Sequence, residues 1–216
     1  MKVLVAAATE AEIKPLLNWL ADTQAPGVEV LITGIGMAAT AYSLGRRFAN
    51  NCPEVAIQAG IAGSFRHERP LGEVALVARE VFGDLGAEDH GRFTDLFGIG
   101  LWQHDMHPFT HHHLINPLTL FPESLQQLPQ VTGVTVNTVS GETATIAQLE
   151  QLYQPDLESM EGAAFHYACL MDDIPFLQLR AVSNYVEVRD KSKWNIPLAV
   201  KELNEKLREL IIELTA

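Results

Sequence analysis

Three polar side chains stand where the chain passes from one element to the next, and their types could run a hydrolysis. Glu12 follows the first apolar run, Glu161 opens a helix in LESMEGAAFHY, and Asn184 ends the run PFLQLRAVSNYV. A carboxylate can take a proton from attacking water or accept hydrogen bonds from hydroxyls, and a carboxamide can donate to and accept from the edge of a heterocycle. Glu161 and Asn184 bracket one helix-strand-loop unit, an arrangement able to grip a small polar ligand from two sides while another residue activates the nucleophile. Each also has an ordinary reading. Glu12 could offset a helix dipole in a first turn, Glu161 could cap its helix, and Asn184 could bond its own backbone in a turn. Glu10, two positions before Glu12, competes with it for the role of base.

The elements that must position these residues belong to an ordinary core-forming chain. The 216 residues are 47% hydrophobic and 19% charged, which predicts one domain, 1–216. A net charge of -12 disfavours nucleic acid and anionic membrane surfaces, leaving a small molecule as the expected partner. Cys52 and Cys169 lie far apart among apolar residues, so neither a disulfide framework nor a thiolate metal site is expected. The opening MKVLVAAATEAE carries too short an apolar run for a signal peptide or a membrane span, which predicts a cytoplasmic protein.

Taken in order, KVLVAAA reads as a strand buried on both faces, and Thr9 then caps a helix with Ile13, Leu16, Leu17 and Leu20 at helical spacing. VEVLITG is a second strand, running into GIGMAATAYSLGRRFAN, where glycines at a strand-to-helix turn let backbone approach a ligand or simply allow tight packing. That turn lacks the third glycine of a dinucleotide fingerprint and the Gly-Lys-Ser/Thr ending of a phosphate loop, so no cofactor is expected there. Residues 54–64, EVAIQAGIAGS, form a third buried strand whose small terminal residues leave room for a ligand. LGEVALVAREVFGDLG predicts a strand outside the main parallel set.

Over 87–122 the periodicity fades into aromatics, glycines, prolines and most of the histidines, the composition of a lid or binding loop. The adjacent His111, His112 and His113 have diverging side chains and no accompanying ligand spacing, so no metal is expected. VTGVTVNTVSGETA predicts a strand and turn, followed by helices over 143–153 and 158–171, a buried strand PFLQLRAVSNYV, and an amphipathic helix over 194–214. The alternation predicts an α/β sandwich.

Six stretches, KVLVAAATEAEI, TGIGM, QAGIAGS, DLGAED, ESMEGAAFHY and RAVSNYVEVRDKSKWNIPLA, together span nearly the whole chain. Through them it resembles the nucleoside phosphorylase superfamily and, within it, the futalosine hydrolases. The last two stretches are the most specific, being a long ordered match. The resemblance implies a three-layer α/β/α sandwich with a mixed central sheet and a homo-oligomer. It further implies hydrolysis of the N-glycosidic bond of futalosine, releasing hypoxanthine in menaquinone formation, with no cofactor. Related methylthioadenosine/S-adenosylhomocysteine nucleosidases carry a Met-Glu pair matching Met160 and Glu161, an early glutamate matching Glu12, and an aspartate where this chain has Asn184.

On that basis Glu12 would accept a proton from water, Glu161 would hold the ribose hydroxyls, and Asn184 would address the purine. Met160 would either fill the core or lie under the ribose, and Ile35, Ala62, Gly63 and Tyr185 would complete the substrate pocket. A carboxamide can donate to N7 and O6 of a 6-oxopurine, which favours hypoxanthine or guanine over adenine. Phe93, Phe97, Trp102 and Tyr185 are candidates to stack on the base, because the GETA turn offers only Thr143 and Ala144. Arg66, Arg69, Arg79, Arg189 and Lys191 are candidates for the carboxylate of the futalosine side chain. Ser64 and Arg66 leave phosphorolysis of 6-oxopurine nucleosides as an alternative activity, and a non-catalytic nucleoside-binding protein on the same fold is a third reading.

Overall fold

The computed structural model describes residues 1–23, 25–118 and 122–216. In chain order the elements are β1 (Val3–Ala7), α1 (Glu10–Thr23), β2 (Val28–Ile32), α2 (Met37–Asn50), β3 (Val55–Ser64), β4 (Val74–Phe82), β5 (Gly86–Asp89), β6 (Arg92–Asp95) and β7 (Leu114–Ile115). They continue with β8 (Gln130–Thr135), α3 (Thr143–Tyr153), β9 (Leu157–Ser159), α4 (Gly162–Met171), β10 (Phe176–Tyr185) and α5 (Ile196–Thr215). No described helix is long and apolar enough to cross a membrane.

The apolar run of β1 is buried at every position because parallel neighbours flank it on both sides, β2 and β3. Beyond β3 lies β10, also parallel, and its other edge pairs antiparallel with β4. β4 runs parallel to β8, β8 parallel to β9, and β9 returns antiparallel to β3, so five strands close into a ring from which β1 and β2 extend. The expected departure of β4 from the parallel set is thus its antiparallel edge with β10. The ring is filled by Ala62, Ala75, Val77, Val131, Leu157 and Val182.

Helices cover both faces of the sheet. On one side α1 and α5 bury Ile13, Leu16, Leu203, Leu207, Leu210 and Ile211 against Val5, Ile57 and Leu179. On the other, α2 and α4 bury Leu44, Phe48, Phe165 and Cys169 against Leu4, Ala6 and Phe176. This is the expected three-layer sandwich around a mixed sheet.

One sequence expectation is corrected. The predicted helix over 158–171 begins only at Gly162, because Leu157–Ser159 pairs with β3 and β8 and closes the ring. Pairing across the sheet overrides the local helical pattern there. In the expected lid, residues 119–121 lie outside the described residues. Residues 86–95 form a hairpin, and Phe97, Trp102 and Phe109 pack with Phe82 and Tyr167. Leu114–Ile115 then pairs with β4, and Nδ1 of the buried His166 on α4 lies 3.1 Å from the Leu114 carbonyl.

Candidate active site

A cavity of about 350 Å³ opens where β1, β3 and β10 reach their carboxyl ends, a size that accommodates a small-molecule ligand. The eight residues expected to act on or enclose the nucleoside all line it: Glu12, Glu161, Asn184, Met160, Ile35, Ala62, Gly63 and Tyr185. Parallel strands bring them together, although Glu12 and Asn184 are far apart in the chain.

Glu12 is held from two directions. Its Oε2 accepts from the Thr9 amide at 3.0 Å and from the Thr9 hydroxyl at 2.8 Å, while its Oε1 accepts from the Ile61 amide of β3 at 3.2 Å. The bond back to the Thr9 amide is half of a capping box, so the residue starts its helix and faces the cavity at once. Glu10 is exposed and lines no part of the cavity. The turn carrying Glu12 kinks at Ile13, just before Pro15. Asn204 of α5 bridges the kink: its Oδ1 accepts from the Leu16 amide at 3.0 Å and its Nδ2 donates to the Glu12 carbonyl at 2.8 Å.

Glu161 is the residue before α4, yet its side chain makes no capping bond. Instead Oε1 accepts from the Gly36 amide at 3.1 Å, and Oε2 faces Nη1 of Arg180 at 3.5 Å. The glycine turn after β2 therefore turns its backbone toward the site, with Gly36 at φ 90°. Arg180 is only 2% exposed and reaches the Ile61 carbonyl at 3.4 Å across the bare backbone of Gly60. A β-carbon at Gly60 would collide with Arg180 and approach Glu12 Oε1 to 3.1 Å. The guanidinium thus offsets the Glu161 carboxylate from behind the cavity wall.

Asn184 has its Oδ1 2.8 Å from the Ser183 hydroxyl and donates from Nδ2 to the Tyr185 carbonyl at 3.0 Å. Gly63 makes room for it, since a β-carbon there would stand 3.1 Å from Nδ2. With its oxygen engaged, the group retains a second Nδ2 hydrogen to offer a ligand. Tyr185 is fixed by its hydroxyl donating to the Arg69 carbonyl at 3.0 Å and by its ring stacking on His67 at 4.6 Å.

Behind Glu161 lies a second buried carboxylate. Glu80 accepts from Gln178 Nε2 at 2.8 Å and from the Thr135 hydroxyl at 2.9 Å, and Thr135 Oγ1 in turn accepts from the Ala163 amide at 2.7 Å. Glu80 occupies space that side chains at Gly133 or Gly162 would fill. Complete burial pushes its carboxyl up to about 7, against the opposing hydrogen bonds and the charge of Arg180.

Several functional-site residues escaped the sequence reading. Arg180 carried a signal, a charged residue inside an apolar strand, which demands a buried partner. Glu158, expected in a helix, lies in β9 on the cavity wall and accepts from the Ser140 amide at 2.9 Å and from the Ser140 hydroxyl. Burial raises its carboxyl above the usual range. Trp194 lines the cavity, whereas the proposed stacking residues Phe93, Phe97 and Trp102 do not. Ser64 and Arg66 are also off the wall: the Ser64 oxygen accepts from the Arg66 amide at 3.0 Å, and Arg66 lies near Asp156 and Glu150 at 3.7 and 3.9 Å. Among the described residues no group of three or more His, Cys, Asp and Glu is placed to hold a metal ion.

The chain is similar to known proteins in sequence and in fold. Residues 3–214 match the Phosphorylase superfamily. The futalosine hydrolase of Thermus thermophilus is 31% identical over 210 residues, covering 94% of this chain and 89% of that protein. The futalosine hydrolase of Streptomyces coelicolor is 32% identical over 192 residues, covering 85% and 78%. Among solved structures, the Neisseria meningitidis 5′-methylthioadenosine/S-adenosylhomocysteine nucleosidase, in complex with methylthio-immucillin-A, superposes with a TM-score of 0.80 at 18% identity, over 99% of this chain and 100% of that one. The Helicobacter pylori futalosine hydrolase gives 0.78 at 15% identity, over 99% and 98%, a likeness of fold. The chain belongs to the phosphorylase superfamily and, within it, to the family of the futalosine hydrolases.

Proposed function

We propose that this protein hydrolyses the N-glycosidic bond of futalosine, releasing hypoxanthine in menaquinone formation. The observation that carries the reading is one cavity lined by Glu12, Glu161 and a donor-presenting Asn184, with the buried Arg180 facing Glu161 from behind the wall. Its kinship with enzymes named futalosine hydrolase gives the substrate.

The geometry supports a role for each of these residues. The bond from C1′ to the purine lengthens, its electron pair moves into the base, and positive charge grows at C1′. Glu161 accepts hydrogen bonds from the ribose hydroxyls and strengthens them as that charge grows. Asn184 donates to N7 or O6 and stabilises the departing 6-oxopurine. Glu12 takes the proton from water as its oxygen bonds to C1′, a contribution of about 10²–10⁴ in rate. Met160, Ile35, Ala62, Gly63 and Tyr185 shape the cavity around the nucleoside. Phosphorolysis has no comparable support, because the donors expected to hold phosphate, Ser64 and Arg66, are engaged outside the cavity.

In this reading the chain is a single domain, and the 87–122 segment acts as a lid only across the interface of a homo-oligomer. Residues 87–118 line no part of their own cavity and expose Leu101 and Met106. The test is product release from futalosine, with inosine and methylthioadenosine as competitors and with phosphate present or absent.

A further inference from the structure

The cavity wall has a charge imbalance that the nucleoside core of the substrate does not use. Glu12, Glu158, Glu161, Glu187 and Asp190 all line it, and the one cationic side chain among the lining residues is Arg189. Besides Glu161, which faces Arg180 at 3.5 Å, two of those acids are answered locally. Glu187 pairs with Lys193 at 2.7 Å, and Asp190 accepts from the Ser192 amide at 3.0 Å and from its hydroxyl at 2.6 Å. Arg189 makes no ion pair with any described carboxylate. Its guanidinium lies over the Trp194 ring, 5.6 Å from the centroid, and its stem backs onto the turn at Gly141. Beside Trp194 the wall continues as Ile196 and Val200.

We propose that Arg189 and Trp194 form the subsite for the 5′ substituent, Arg189 binding its carboxylate and Trp194, Ile196 and Val200 receiving its apolar part. The inference rests on the proposed substrate and adds the residues that recognise it. An anion entering an acidic cavity in a chain of net charge -12 needs a compensating cation, and the wall offers one. Stacking on Trp194 holds the guanidinium ready, so less ordering remains to be done when a carboxylate docks. Arg66 and Arg69 are excluded by their own acidic partners and Arg79 and Lys191 by their place outside the cavity.

The test compares Arg189→Gln with the wild type on two substrates, futalosine and its carboxyl methyl ester. Arg189 is exposed, and a thermal melt checks that the variant folds. The expected result is that Arg189→Gln lowers kcat/KM for futalosine about tenfold more than for the ester, chiefly through KM, as loss of a partly solvated charged hydrogen bond implies. Equal losses on both substrates, or none on either, overturn the subsite while leaving wild-type hydrolysis of futalosine intact. A wild type that releases no hypoxanthine from futalosine overturns the substrate reading first, and the subsite with it.

Discussion

Glu12 carries two duties that one substitution can separate. Gln at this position can still bond back to the Thr9 amide, because a capping box accepts Glu or Gln, but it cannot take a proton from water. Glu12→Gln is therefore expected to fold normally, bind hypoxanthine and lose about 10²–10⁴ in kcat. Unchanged turnover, measured beside product binding by calorimetry, would remove Glu12 as the base. Asn184 is legible as a base reader from its type, yet its orientation depends on Ser183 and on the space above Gly63, neither of which the sequence announces. Asn184→Asp replaces the free donor by an acceptor. The ratio of kcat/KM for 6-oxo over 6-amino substrates should fall about tenfold, and a constant ratio would show that Asn184 does not read the base.

At the scale of elements, what places Glu161 is the N-terminus of α4, and Glu80 of β4 reaches that terminus through Thr135. Glu80 was hidden in the sequence because VALVAREVF reads as simple alternation. The register of β4 against β8 slips between Val77 and Arg79, which turns Arg79 outward and Glu80 inward. The glycine of SMEGAA is likewise explained only by the carboxylate that lies against it. Helices α3 and α5 and strands β1, β3, β8 and β10 were readable from periodicity, since each buries the face its pattern marks. β9 was not, since three residues carry no period of their own. Burial raises the Glu80 carboxyl to about 7, with Arg180 and Glu161 as its charged neighbours. The unfolded chain then releases its proton near the ordinary glutamate value while the folded protein retains it. Stability is thus full below that value and falls as pH rises toward about 7, by at most about 3 kcal/mol. Glu80→Gln should remove this slope in denaturant unfolding measured between pH 5 and 8. An unchanged slope would show that Glu80 ionises as freely in the folded protein as in the unfolded one.

The whole molecule joins residues that the sequence keeps about 150 positions apart. Parallel pairing of β1, β3 and β10 brings their carboxyl ends to one edge, and the kink bridged by Asn204 aims Glu12 at that edge. Family register pointed to this convergence. The buried charge that makes it tolerable, Arg180 between carboxylates, emerged only in three dimensions. Water as the acceptor is the central claim, because Glu12 lies on the cavity floor and the phosphate-holding donors do not. The measurement that tests it most directly is turnover of futalosine by the wild-type protein in phosphate-free buffer, followed by chromatography of the products. The expected result is stoichiometric hypoxanthine and the free ribosyl product, at a rate unaltered by added phosphate; a strict requirement for phosphate, with a ribosyl 1-phosphate as product, would contradict it.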